Sequence, residues 1–148
     1  MHIPEGVCTI TEICTMKNDA GEEREFYKLT SVKNQSLVVY VPLDSAEKHM
    51  RNLRSREEIS EILQSCKTAK TGWDSSEQKR VEKRRKALQE DDGLAIAKLI
   101  KSYHRRKENS NLSVVDSNWL KKAEQLLCSE MEEVLQMDYQ KVLSEITG

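Results

Sequence analysis

The feature that most restricts the fold is a change of hydrophobic period at Pro42. Before it, Val7, Thr9 and Thr11 alternate with Cys8, Ile10 and Glu12, the period of a pleated strand. From Asp44 onward apolar residues recur every three or four positions, the period of a helix. One element cannot serve both periods, so the chain is expected to be α+β, with a small antiparallel β domain first and an all-α domain after it.

Within the β part, a turn around Asn18 to Gly21 leads into EREFYKLTSV, rich in aromatic and β-branched residues. Lys33, Asn34, Gln35 and Ser36 then separate it from LVVYVP, which Pro42 closes because it has no N–H for a ladder. Three or four such strands predict a small, strongly bent sheet or barrel, with too little core to build a deep catalytic pocket.

In the helical part, Ser55 and Glu58 have the spacing of a capping box, and Ile59, Ile62, Leu63 and Cys66 mark one face of a helix ending near Cys66. The following KTAKTG, with a single Ala as its apolar residue, reads as a linker between domains. The expected organisation is 1–50 for the β domain, 51–72 for a connecting helix and linker, and 73–148 for the helical domain. Four helices are predicted in the last part. They run over about 75–89, about 92–107 with Leu94, Ala97, Ile100 and Tyr103 inward, about 114–136, and about 139–146. The third turns Val115, Trp119, Ala123, Leu126, Leu127, Met131 and Val134 inward, and Ser113 with Asp116 starts it.

A net charge of -1 hides strong segregation. Residues 67–107 hold 13 basic and 6 acidic side chains, a net of +7, whereas 1–50 net -3 and 108–148 net -5. A patch of this sign concentrates polyanions and predicts salt-dependent attachment. Its centre is GWDSSEQKRVEKRR, residues 72–85, where Asp74 or Ser75 can cap a helix with Glu77 and Gln78 at capping-box spacing. Lys79, Lys83 and Lys86 recur every three or four residues, as do Arg80 and Arg84, and Arg85 fills in between them. A charge run is usually a solvated helix face. Trp73 at its lip argues for more, because an indole either packs into the fold or meets a partner.

Several function classes find no support. Cys8, Cys14, Cys66 and Cys128 show no C-x-x-C spacing, and His2, His49 and His104 lie far from them, so free thiols, no metal and no cofactor are expected. A Gly-rich phosphate loop, a nucleophile elbow, an H-E-x-x-H run and a D-x-D pair are all missing, which argues against an enzyme. With neither a long apolar run nor a signal-peptide start, a soluble cytoplasmic protein is expected.

The assembled pieces resemble the CarD-like family of bacterial RNA-polymerase-binding transcription regulators. PEGVCTITEI, GEEREFYKL and LVVYVPLDSAE are similar to the opening strand, middle hairpin and closing strand of that family's Tudor-like polymerase-interaction domain. GW, LQEDDGLAIAKLIKSYHRRKE, LS and WLKKAEQLLCSEM resemble its helical domain in order and spacing. The resemblance implies a factor that docks on the polymerase β subunit and stabilises the open promoter complex at the upstream fork, with little sequence preference. It puts Trp73 at the family's wedge position, with Lys79, Arg80, Lys83, Arg84, Arg85, Arg105 and Arg106 as DNA contacts. It puts Met16, Val38, Val39 and Tyr40 on the polymerase. The other class is a protein-interaction module whose basic helix meets an acidic surface or only water.

The chain departs from the family pattern in three ways. The chain starts almost at PEGV, where family members usually carry a strand first, so a truncated N-terminus is expected, and with it a functional monomer with a tendency to domain-swapped dimers. Met16 and Tyr40 stand where some relatives carry basic residues, which predicts a polymerase contact built on apolar and backbone groups of LVVYVP. The segment between Trp73 and Leu88 is longer by about one helical turn, which shifts the basic stripe relative to Trp73.

Overall fold

Asn18 turns the chain between the first two strands. Its Oδ1 accepts hydrogen bonds from the backbone N–H groups of Ala20 (3.0 Å) and Glu22 (2.9 Å), and Gly21 takes the left-handed conformation at φ 79° that the return requires. This closes β1 (Cys8–Lys17) antiparallel onto β2 (Glu23–Ser31), which in turn pairs with β3 (Val38–Pro42) in the order β1-β2-β3. The computed structural model describes residues 1, 2 and 5–148, and Pro4 of the PEGV piece lies outside them.

The alternation read from the sequence breaks at Thr11. Ile10 faces Leu29 and Glu12 faces Lys28, so Thr11 is the extra residue of a β-bulge, and its hydroxyl donates to the Lys28 carbonyl at 3.1 Å. The bulge puts Ile10 and Ile13 on one face, with Tyr27, Leu29 and their β3 partners Val41 and Val39. It also puts Glu12 on the other face, 3.4 Å from Lys28 Nζ. Leu29 and Val41 are buried, and a 3-10 turn (Leu43–Ser45) and the short α1 (Ala46–His49) complete this first unit, Met1–Leu53.

The second unit, Arg54–Gly148, holds α2 (Arg56–Thr68), α3 (Glu77–Gln89), α4 (Gly93–Asn109), α5 (Val114–Leu135) and α6 (Tyr139–Thr147). Side-chain caps start all five: Ser55 with its reciprocal partner Glu58, then Ser76, Asp92, Ser113 and Asp138. Ile59, Cys66, Ala97, Ile100, Leu127, Met131 and Ile146 form the centre of one apolar core.

Two expectations need correction here. The boundary falls at Leu53/Arg54 and not at 67–72, because Ile59 and Cys66 bury α2 in the helical core; KTAKTG joins two helices of one unit. Val115 is 59% exposed, since the inward position in the first turn of α5 belongs to Asp116.

Two buried charges tie α2 into that core. Lys101 Nζ donates to the carbonyls of Cys66 (2.8 Å) and Lys67 (3.3 Å) in the last turn of α2, where the Cys66 carbonyl also accepts from the Ala69 N–H. Glu130, fully buried on α5, takes the Arg54 guanidinium on Oε1 (2.5 Å) and the Arg54 N–H on Oε2 (2.9 Å).

Candidate nucleic-acid interface

The segment before α3 is organised by Asp74. Its Oδ1 accepts from the Ser76 N–H at 3.1 Å, Ser76 rather than Asp74 or Ser75 caps the helix by accepting from Lys79 N–H at 3.3 Å, and Lys83 Nζ lies 3.4 Å from Asp74 Oδ2. The Ser76 hydrogen bond, with help from Lys83, holds the Asp74 carboxyl below the usual carboxylate range.

From that start the basic residues of α3 do not form one stripe. Arg84 is buried, with Nη1 2.7 Å from Asp116 Oδ1, and Arg80 turns the same way, with Nη2 3.3 Å from Asp116 Oδ2. Arg80 and Arg84 are therefore corrected from solvent-facing DNA contacts to structural cations. Their inward turn follows from composition, because α3 has few apolar residues and the carboxylate on α5 supplies the partner. Lys79, Lys83 and Lys86 remain exposed along one flank. Arg85 is exposed too, but two positions after Lys83 it lies about 200° further round the helix, where it pairs with Glu82 at 2.7 Å.

Trp73 is half-buried, so of the two fates open to an indole it takes part of each, packing on the core edge while leaving some of its ring accessible. Its ring meets Tyr103 edge-on with centroids 5.1 Å apart, and the guanidinium groups of Arg80 and Arg106 lie 4.7 Å and 5.3 Å from its centroid. Trp119 flanks Tyr103 from another side at 5.0 Å and joins the core edge, as its place on the α5 stripe predicts. The structure thus brings together Trp73, Arg80, Arg106 and, through Asp74, Lys83. Arg105 is exposed near the end of α4, and it is its neighbour Arg106 that lies over the Trp73 ring.

In the β unit, the four residues expected on the polymerase separate by face and by edge. Val38 and Tyr40 are 39% and 45% exposed and share a face with Lys28 and Thr30. Val39 pairs with Leu29, is partly buried and faces the opposite way from Val38 and Tyr40. Met16 pairs with Arg24 on the far side of β2 from β3, about 13 Å along the strands and two strand spacings across from Tyr40.

Comparison with protein-family models matches residues 1–54 to the CarD-like/TRCF RID domain and residues 58–147 to the CarD C-terminal domain. The chain belongs to the CarD-like family. These matches divide the chain within a few residues of the Leu53/Arg54 boundary. No curated protein matches it. The CarD-like family is a transcription-related, non-enzymatic family that interacts with RNA polymerase. No helix of the described residues is long and apolar enough to cross a membrane.

The sequence reading missed Asp116 as the ion-pairing centre of this CarD-like helical unit, having read it only as the start of α5. Ser113 does start the helix by accepting from Asp116 N–H at 3.1 Å, but it also donates to Asp116 Oδ2 at 3.0 Å. The signal was a paired Arg at i and i+4 on a helix whose apolar residues, apart from Val81, are confined to its last turn at Ala87 and Leu88. Glu130, inside an apolar stretch of α5, carried a similar signal.

Proposed function

We propose that this protein docks on the RNA polymerase β subunit through its β unit and holds upstream-fork promoter DNA open through its helical unit. The observation that carries the second half is the Trp73 ring set between the guanidinium groups of Arg80 and Arg106, beside the exposed flank of Lys79 and Lys83. An aromatic plate bordered by cations suits a site where a base step is unstacked next to phosphates. Lys79, Lys83, Arg105 and Arg106 supply phosphate contacts, which fix position without reading sequence, whereas Arg85 points away from the Lys79–Lys83 flank and pairs with Glu82. Arg80 and Arg84 act indirectly, by holding α3 and the indole in place. For the first half, Val38 and Tyr40 display apolar surface on an edge strand, where an added strand gains backbone hydrogen bonds without charge.

The test is the lifetime of the open promoter complex. Trp73→Ala removes a half-buried ring, so it should lower stability by about 2 kcal/mol and the melting temperature by roughly 10 °C, leaving the unit folded at 25 °C. At that temperature closed-duplex binding should persist while open-complex lifetime falls several-fold. A lifetime equal to the parent's would overturn the wedge, and loss of all DNA binding by the parent at low salt would leave a protein-interaction module.

A further inference from the structure

Apart from the Trp73 cluster, the helical unit carries a cleft of about 420 Å³ between α3, α4 and the segment around Thr71. Its two ends differ in charge. At the α3–α4 turn lie Glu90 and Asp92, the residues that cap α3 and α4. About 9 Å further along α4, six residues on at 1.5 Å each, Lys98 lines the same cleft as Lys83 and Lys70, with Lys86 one turn from Glu90.

Three of these lysines, Lys70, Lys86 and Lys98, make no ion pair among the described residues. Like charges gathered around one cavity repel, and an anion placed among them relieves that repulsion. Thr71 lines this cleft, and its hydroxyl is buried with no hydrogen-bond partner, an unusual state for a polar atom, so a side-chain rotation toward the cleft would bring in an unused donor. At Gly72 a side chain would meet nothing within 4 Å, so a ligand has room to approach the backbone there. Ala87, Ala95 and Leu99 give the cleft an apolar wall, and its volume lies in the range of small-molecule sites.

We propose that this cleft binds a small polyphosphate, with phosphate groups against Lys70, Lys83 and Lys98 and the Thr71 hydroxyl donating to one of them. The site does not depend on α3 touching DNA. Because Lys83 also belongs to the exposed lysine flank, a bound polyphosphate would compete with DNA for that one cation.

Isothermal titration calorimetry of the full chain, in magnesium-free buffer at low salt, tests this with ATP and with inorganic tripolyphosphate as probes. The parent should bind saturably at one site. Lys70→Glu/Lys98→Glu should weaken binding at least about tenfold, as expected when two charge-assisted contacts become repulsive. Thr71→Val should weaken it several-fold, and both variants should melt within a few degrees of the parent. Tighter binding of ATP than of tripolyphosphate would assign the site to a nucleotide, and equal binding to inorganic polyphosphate. No saturable binding by the parent, or equal affinity in parent and Lys70→Glu/Lys98→Glu, would overturn the site and leave only general attraction to a basic surface.

Discussion

At the scale of single residues, Asp116 decides which arginines of α3 are available to a partner. Its carboxylate, 3% exposed, accepts from Arg84, Arg80 and Ser113, so three groups turn toward one buried charge. Removing one partner of such a pair leaves the other charge buried without compensation. Arg84→Ala should therefore lower the unfolding free energy by about 3 kcal/mol in chemical denaturation, whereas Lys79→Ala, exposed one turn earlier, should stay within about 0.5 kcal/mol of the parent. Similar losses for the two would mean that Arg84 does not carry the packing assigned to it. Arg80, Arg84 and Arg85 are alike in the sequence, yet two fix a helix and one lies in water.

At the scale of elements, Gly93 opens α4 at a place where an added side chain must push aside the ends of Ile62 and Arg54. An added Cβ would lie 2.7 Å from Ile62 Cδ1 and 3.1 Å from the Arg54 guanidinium carbon. Gly→Ala inside a helix ordinarily favours the helix by up to about 1 kcal/mol. Here Gly93→Ala should instead lower the melting temperature by several degrees, followed by circular dichroism at 222 nm. A rise would show that Ile62 and Arg54 move aside freely. Elements of this kind were largely legible: α3, α4, α5 and α6 begin and end within two residues of expectation, because capping side chains and a 3.6-residue period are local signals. What was not legible depends on distant partners. The bulge at Thr11 answers to pairing with β2, the inward turn of Arg84 answers to a carboxylate 32 positions later, and KTAKTG has the same composition whether it joins domains or helices. In the candidate site, Trp73 and the exposed lysines were legible by type and spacing, but the half-burial of the indole against Tyr103 was not.

At the scale of the whole molecule, the basic segment 67–107 lies wholly inside the helical unit, and we expect the two units to carry separable tasks. Tyr40→Glu, on the outward face of β3, should weaken β-subunit binding in a pull-down by at least about tenfold and leave DNA affinity unchanged. Lys79→Glu/Lys83→Glu should do the reverse, weakening DNA binding about equally on all sequences and flattening the salt slope by about two. A sequence-selective loss would point to base readout, and a change in both partners for either variant would deny the division of labour. Along the chain, one unit gives way to the other at a single peptide bond. Arg54 already belongs to the helical unit, with its backbone N–H and its guanidinium both engaged by Glu130, while Leu53 closes the β unit. A gene fusion that carried the β unit into another polypeptide would thus have one clean breakpoint, the peptide bond after Leu53. A crossover at the more pliant-looking Gly72 would export α2 with it and open the donor's core at Ile59 and Cys66.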